Sequence, residues 1–296
     1  MSGNLDYRRF SNVTLINICN NYKRTKDINL ILSNYPGIFY NDVISILTLN
    51  NFNKTVEPCQ LNISDKKIML ISDTHYGSIY DNVNYAYYAF DFAKKHDIKT
   101  VFHGGDVLEG NTKYKIRDGL VSKRQADYFI NNYPRDKDIM THVVLGNHDY
   151  FALSESSKAK KILNSRDDID IMGFKKIFFN WKGVNVGFQH NVKNYKLLFD
   201  FNLFPSGHED LNFLGHSHFF HIKECGTQDY IYIPAMCDDP LNKTNPRFVS
   251  YENALKPGFL TVEIFNNYII ITHYYFEDKQ IIKSKEHVRV LKNTSI

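Results

Sequence analysis

The chain has 296 residues, 43% of them hydrophobic, and a formal net charge of +4. That is enough apolar material for one large domain, or one domain with a small appendage, and it excludes general disorder. The mild charge, with basic residues scattered rather than blocked, permits nucleic-acid contact without arguing for it, and no apolar run approaches the roughly 20 residues that cross a bilayer.

The opening MSGNLDYRRFSN lacks the apolar core of a secretory leader, so the expected location is cytoplasmic, with no membrane contact. Residues 1–60 read as helical. Val13, Ile16 and Cys19 with Leu15 and Tyr22 fit one helix face, and Phe39, Val43, Ile46 and Leu47 fit another. Asp27 is placed to cap a short helix over 28–32, and Pro36-Gly37 marks a turn. The segment reads as a small helical unit, either helix-turn-helix-like or a plain extension of the main domain. The latter is favoured because no basic recognition face stands out.

From about residue 66 the texture changes, so residues 61–296 are read as the second unit. Lys67–Ser72 is a short continuous apolar run, as a strand buried on both faces should be. A helix is expected over Tyr80–Lys95, a strand at Thr100–Phe102, a helix over Leu120–Asn132 and a strand at His142–Leu145. Next come a helix near Ser157–Asn164 and strands at Ile169–Met172, Lys176–Asn180 and Val184–Gln189. Strand alternating with helix predicts an α/β fold. The strand-rich C-terminal part, Tyr230–Ile233, Gly258–Phe265 and Tyr268–Tyr275, predicts hairpins that close a second sheet, with Asn266-Asn267 as one turn. Cys19, Cys59, Cys225 and Cys237 form no CxxC pair, so buried thiols are expected rather than a thiolate zinc site or a disulfide framework.

Five times an apolar run gives way to a polar cluster. KIMLIS is followed by Asp73-Thr74-His75, KTVFH by GGDVLE with Asp106 and Glu109, HVVL by Gly146-Asn147-His148-Asp149, VNVGFQ by His190, and LNFL by Gly215-His216-Ser217-His218. In open α/β sheets the carboxyl ends of strands form the ligand crevice, so all five should converge on one edge. Asp73 and His75, like His216 and His218, are two apart, which in extended chain points both side chains the same way. The donors are carboxylates, imidazoles and one amide, a mixture suited to manganese, iron, zinc or nickel. Six or seven donors exceed the needs of one tetrahedral zinc, whereas two metals bridged by a carboxylate fit the count.

The ordered series D-x-H, G-G-D-x-x-E, G-N-H-D, H and G-H-x-H resembles the calcineurin-like metallophosphoesterase superfamily over roughly residues 66–275. The resemblance implies a four-layer α/β/β/α sandwich with a dinuclear metal site at the strand ends. It makes Asp73, His75 and His218 ligands of a first divalent metal, Asp106 the bridge, and Asn147, His190 and His216 ligands of a second, with Mn²⁺ foremost and Fe, Zn or Ni as alternatives. It makes His148 the catalytic proton donor and Asp149 the residue that orients it. The implied reaction is attack of a metal-bridged hydroxide on a phosphodiester, with His148 as general acid.

Glu109 is balanced between touching the site and capping a helix. His103 reads as a packed neighbour, and Tyr76 as packing. Lys113, Lys115 and Arg117 read as a solvated loop. GGDVLEG and GNHDY lack the arginine-bearing forms of Ser/Thr protein phosphatases, which shifts weight towards a diester. The expected partner is a phosphoester substrate, with a nucleotide or nucleic acid among the candidates. A nuclease guided by residues 1–60 and a phosphomonoesterase are the alternatives, a non-catalytic binding module stands last, and the oligomeric state is left open.

Overall fold

In a computed structural model of the chain, Lys67–Ile71 forms strand β1, and its side chains alternate between two cores. Met69 and Ile71 pack towards helices, whereas Ile68 and Leu70 pack towards a second sheet. Burial on both faces is why the sequence there reads as a continuous apolar run. The structure describes residues 12–25, 31, 33–35, 38, 43, 61, 63–110, 116–117, 119–154, 157–174, 176–190, 210–225, 228–238 and 255–291.

Strands β2 (Thr100–His103), β3 (Met140–Leu145) and β4 (Ile169–Phe174) continue parallel from β1, through β1–β2, β2–β3 and β3–β4 pairs. The second sheet starts with β5 (Lys176–Trp181), β6 (Val184–Gln189), β7 (Leu211–Leu214), β8 (His221–Cys225) and β9 (Gln228–Tyr232), in the order β5-β6-β7-β9-β8. Strands β10 (Gly258–Ile264), β11 (Tyr268–Glu277) and β12 (Gln280–Val290) then return to the first sheet, whose order is β12-β11-β10-β1-β2-β3-β4. The hairpin at Asn266-Asn267 joins β10 to β11, with Phe265 N–H donating to the Tyr268 carbonyl at 2.8 Å. The closing strands therefore complete the first sheet, and the second sheet is built mainly from the middle of the chain.

Helices α2 (Val83–Lys95), α3 (Ser122–Asn132), α4 (Asn147–Ser154) and α5 (Ser157–Leu163) cover the outer face of the seven-stranded sheet. In α2 the buried residues Ala86, Ala89, Phe90 and Ala93 recur at helical spacing, Asn82 caps the start by accepting from Asn84 N–H, and Lys94 and Lys95 complement the end. Small alanines let the helix lie close to the sheet. Between the sheets Phe102 stacks on Phe179 and Phe188, with ring centroids 5.0 and 4.9 Å apart, and the Trp181 indole donates to the Asp65 carbonyl at 2.9 Å. These layers bear out the mixed α/β sandwich. The expected second helical layer, on the outer face of the five-stranded sheet, is not seen among the described residues; Leu214, Phe219, Tyr230 and Tyr232 cluster there.

In the N-terminal part, helix α1 (Asn12–Thr25) buries Ile18 and Cys19 against Ile31, Ile38 and Val43, with Tyr22 and Tyr35 beside them. Ile16, expected on the buried face, is 58% exposed, whereas Cys19 and Tyr22 pack as expected, so the buried face is shifted away from Ile16 towards Ile18. The predicted cap Asp27, the Pro36-Gly37 turn and Phe39, Ile46 and Leu47 lie outside the described residues.

Candidate metal centre

The donors stand past the carboxyl ends of parallel strands: Asp73 and His75 after β1, Asp106 after β2, Asn147 and His148 after β3, His190 after β6, and His216 and His218 after β7. Backbone hydrogen bonds continue beyond the strands and hold these loops in register. Asp73 N–H donates to Gly105 O at 2.9 Å, His75 N–H to Asp106 O at 3.0 Å, and Gly215 N–H to Gln189 O at 3.0 Å.

The expected extended geometry of the D-x-H and H-x-H pairs is corrected here. Among the described residues nine non-glycine residues have positive φ, and Asp73, His75, Asp106, His216 and His218 are five of them. Left-handed turns, not strand alternation, aim these side chains inward. Such conformations cost about 1 kcal/mol or more each and persist where the surroundings fix them. Gly146 is required for another reason. A Cβ there would run into Asp106 Oδ1 and approach His190 Nε2 to 2.6 Å, so only glycine lets β3 end this close to the donors.

Two groups of donor atoms result. Ligand atoms of Asp73, His75 and Asp106 lie within 4.8 Å of one another, and so do those of Asp106, His190 and His216. Asp106 is common to both. His218 Nε2 adds to the first group, 3.3 Å from Asp73 Oδ1 and 3.2 Å from His75 Nε2. Asn147 stands at the start of α4, and its Oδ1 is buried without a hydrogen-bond partner.

Electrostatics follow from this packing. Burial alone would raise the Asp73 carboxyl, but His218, helped by His190 and His75, outweighs it and holds the group far below the ordinary carboxylate range. Burial against His190 resolves the same way for Asp106, which is also held low. Burial would lower His190, yet the Asp106 carboxylate 2.9 Å away raises it to about 9. The field that keeps a proton on His190 is one that would hold a cation. Burial, with His190 nearby, pushes His216 down to about 4, leaving it neutral at ordinary pH.

The arrangement fits divalent metals. Asp106 Oδ2 and His190 Nε2 are buried, 2.9 Å apart, and neither completes a hydrogen bond. Unsatisfied buried polar atoms cost about 1–3 kcal/mol each, and a cation between them would remove that cost. The outer contacts point the same way. The other His190 nitrogen, Nδ1, meets the Gly104 carbonyl at 2.6 Å, and Glu109 brings a carboxylate oxygen to 2.9 Å from His75 Nδ1. Orienting partners of this kind are what metal-binding histidines use. Ser72 donates to Asp73 at 2.5 Å, and His216 N–H reaches both Asp73 oxygens at 3.0 and 3.1 Å.

Two roles depart from expectation. Asp149, expected to orient His148, instead accepts the backbone N–H groups of Val107, Leu108 and Gly146, at 3.2, 2.8 and 2.7 Å, and so ties the Asp106 loop to the end of β3. Burial and the Asp106 charge push its carboxyl up to about 7. The group that orients His148 is Glu109, whose carbonyl lies 2.7 Å from Nδ1, while His148 N–H donates to Asp106 Oδ1 at 2.8 Å. The G-G-D-x-x-E spacing carried the signal for Glu109, balanced against helix capping. His103 is a packed neighbour: Nδ1 accepts from Gly105 N–H, Nε2 meets Thr74 Oγ1 at 2.9 Å, and burial lowers it to about 3. Tyr76 is packing, buried against Phe129 and Tyr133, and Arg117 is paired with Asp81 and Tyr128. Lys113 and Lys115 lie outside the described residues.

Comparison with known proteins yields similar folds at low identity. Vacuolar Protein Sorting 29 from Cryptosporidium parvum is 14% identical, with TM-score 0.47, over 76% of this chain and 97% of that one. An archaeal phosphodiesterase is 18% identical, with TM-score 0.40, over 75% and 99%. A conserved protein of Streptococcus pneumoniae described as a predicted phosphoesterase is 13% identical, with TM-score 0.38, over 77% and 100%. No curated protein matches the sequence. The family model for the calcineurin-like phosphoesterase superfamily domain matches residues 67–244, a span that holds every donor described above. With the ordered strand-end donors and the two-sheet sandwich, that match makes the chain a member of the calcineurin-like phosphoesterase superfamily.

Proposed function

We propose that the chain is a divalent-metal-dependent phosphoesterase acting on a phosphodiester. The observation that carries this reading is the pair of donor groups sharing Asp106, with buried Asp106 Oδ2 and His190 Nε2 lacking hydrogen bonds. Asp73, His75, Asp106 and His218 would hold one cation, and Asp106, Asn147, His190 and His216 a second, with Mn²⁺, Fe, Zn and Ni as the candidates. When bound, such cations supply Lewis-acid charge to a phosphoryl group and make water acidic enough to attack near neutral pH.

The chain's own residues position and move protons. His148 is half-buried, and its Nδ1 is engaged by the Glu109 carbonyl, which leaves Nε2 for the substrate. From there it can give a proton to the leaving oxygen, typically a contribution of about 10²–10⁴-fold. Its ring lies edge-on to His75, with centroids 4.8 Å apart, so the proton donor packs directly against a metal-site side chain. Asp149 fixes the two loops that carry Asp106 and His148. Preference for a diester over a monoester rests on the arginine-free motif forms, and on Arg117 being engaged by Asp81 instead of standing ready for a phosphate dianion.

The test compares hydrolysis of bis-p-nitrophenyl phosphate and p-nitrophenyl phosphate in Mn²⁺, Zn²⁺, Fe²⁺ or Ni²⁺, alongside cleavage of labelled single- and double-stranded DNA. EDTA and His148→Ala are the controls. Diester turnover that disappears in both controls is expected. A preference for the monoester would overturn the substrate class, and no turnover with any of the four metals would overturn the reading as an enzyme. DNA cleavage would extend it to a nuclease.

A further inference from the structure

Cys237 lies well beyond His218 in the chain and belongs to none of the five motifs. Yet its Sγ and ligand nitrogens of His75 and His218 lie within 4.8 Å of one another. The residue is buried, at 3% exposure, and is a thiol rather than half of a disulfide. Its position is fixed from both sides. Met236 N–H donates to the carbonyls of Ser72 and Asp73 at 3.0 and 3.3 Å, Asp238 N–H donates to the Tyr80 carbonyl at 2.9 Å, and Cys237 itself bridges to Asp81. The Asp238 carboxylate is held in turn by Tyr85 Oη at 2.6 Å and Asn82 Nδ2 at 3.2 Å. A second observation marks this pocket as a ligand site. Asp106 is 1% exposed, its Oδ2 completes no hydrogen bond, and that atom lies 4.0 Å from His75 Nε2.

We propose that Cys237 is a sulfur ligand of the metal held by Asp73, His75, Asp106 and His218. The proposal rests on the metal-centre reading above and refines it. Donors at about 2.0–2.3 Å from one ion stand no more than about 4.6 Å from one another, and the His75 and His218 nitrogens are well inside that limit, at 3.2 Å. On coordination the thiol proton leaves to solvent and the sulfur binds as thiolate. A soft donor added to imidazole and carboxylate selects zinc, ferrous iron or cobalt over manganese at this position. The donor set read from the sequence had no thiolate, so the sulfur changes which metal the site would keep.

The test titrates EDTA-treated, full-length protein with Co²⁺ under anaerobic conditions and follows the near-ultraviolet sulfur-to-cobalt charge-transfer absorption. That band is expected in the wild type and absent in Cys237→Ser and Cys237→Ala. Zn²⁺ affinity, measured by chelator competition, should fall by at least about tenfold in both, since even outer contacts of a metal site cost 10–100-fold. Cobalt bound without the band, a band that survives in the variants, or unchanged zinc affinity would each overturn the proposal and leave the metal centre standing. A wild type that binds no cobalt would overturn both. Should the variants fail to fold, alkylation of Cys237 in the wild type decides it: Zn²⁺ must protect the thiol, and equal labelling with and without zinc refutes coordination.

Discussion

His190 and His273 are both buried imidazoles, and the molecule treats them in opposite ways. His190 stands at the strand-end edge with Asp106 at 2.9 Å, which overrides burial and raises its pKa to about 9. His273 lies in β11, stacked on Phe220 at 4.2 Å, with neither ring nitrogen hydrogen-bonded, and burial lowers it to about 3. Burial is the same; the charge beside it is not. A buried polar group at the strand ends is built for a partner, whereas one inside the sheet is a cost the fold carries.

The comparison breaks most completely at Asp106. Asp106→Asn removes the charge both donor groups share and should reduce His190 to the condition of His273. Metal analysis should show both ions lost, with diester turnover down by at least about a thousandfold. Two retained ions would show that Asp106 is not the bridge. His148→Ala sharpens the contrast between holding metals and moving protons: kcat is expected to fall about 10²–10⁴-fold with metal content unchanged. Full activity would remove His148 as the proton donor. Glu109→Gln tests the outer contacts, and metal affinity should drop by about 10–100-fold, as read by chelator competition.

The smallest effect belongs to the other histidine. With a folded pKa near 3 and an unfolded value near 6.5, His273 is neutral in both states above pH 6.5 and costs nothing through protonation there. As pH falls from 6.5 towards 3 the unfolded chain takes up the proton and the folded chain does not, so stability declines by up to about 1.4 kcal/mol per pH unit. His273→Phe should gain about 1 kcal/mol at pH 7 by removing the unpaired nitrogens, and flatten that acid slope. Urea midpoints of the metal-free proteins across pH 4–7 check both; parallel slopes would mean His273 is not the group that titrates.

Much of the site was legible because each donor follows directly on an apolar run. The run Lys67–Ser72 predicted a doubly buried strand with Asp73 just past it, and the structure has the strand over Lys67–Ile71, buried on both faces, with Asp73 beyond its end. The aim of the donors was not legible: spacing of two suggested extended chain, and the structure uses left-handed turns at Asp73, His75, His216 and His218. Glu109 was half-legible, since its motif spacing was visible but its contact with His75 was not. Asp149 was assigned to the wrong neighbour because its three amide contacts come from two loops remote from each other in sequence.

The sequence by itself determined the alternation of strand and helix and the identity and order of seven metal-binding candidates. Those signals are local: hydrophobic period, glycine at a strand end, a polar cluster after it. Tertiary structure alone decided that the Glu109 carbonyl and not the Asp149 carboxylate stands behind His148, and that the Cys237 sulfur lies beside the His75 and His218 nitrogens. Those depend on distances between segments that only the sheet order and the bonds between strand-end loops bring together, and no period in the sequence encodes a distance across a sheet.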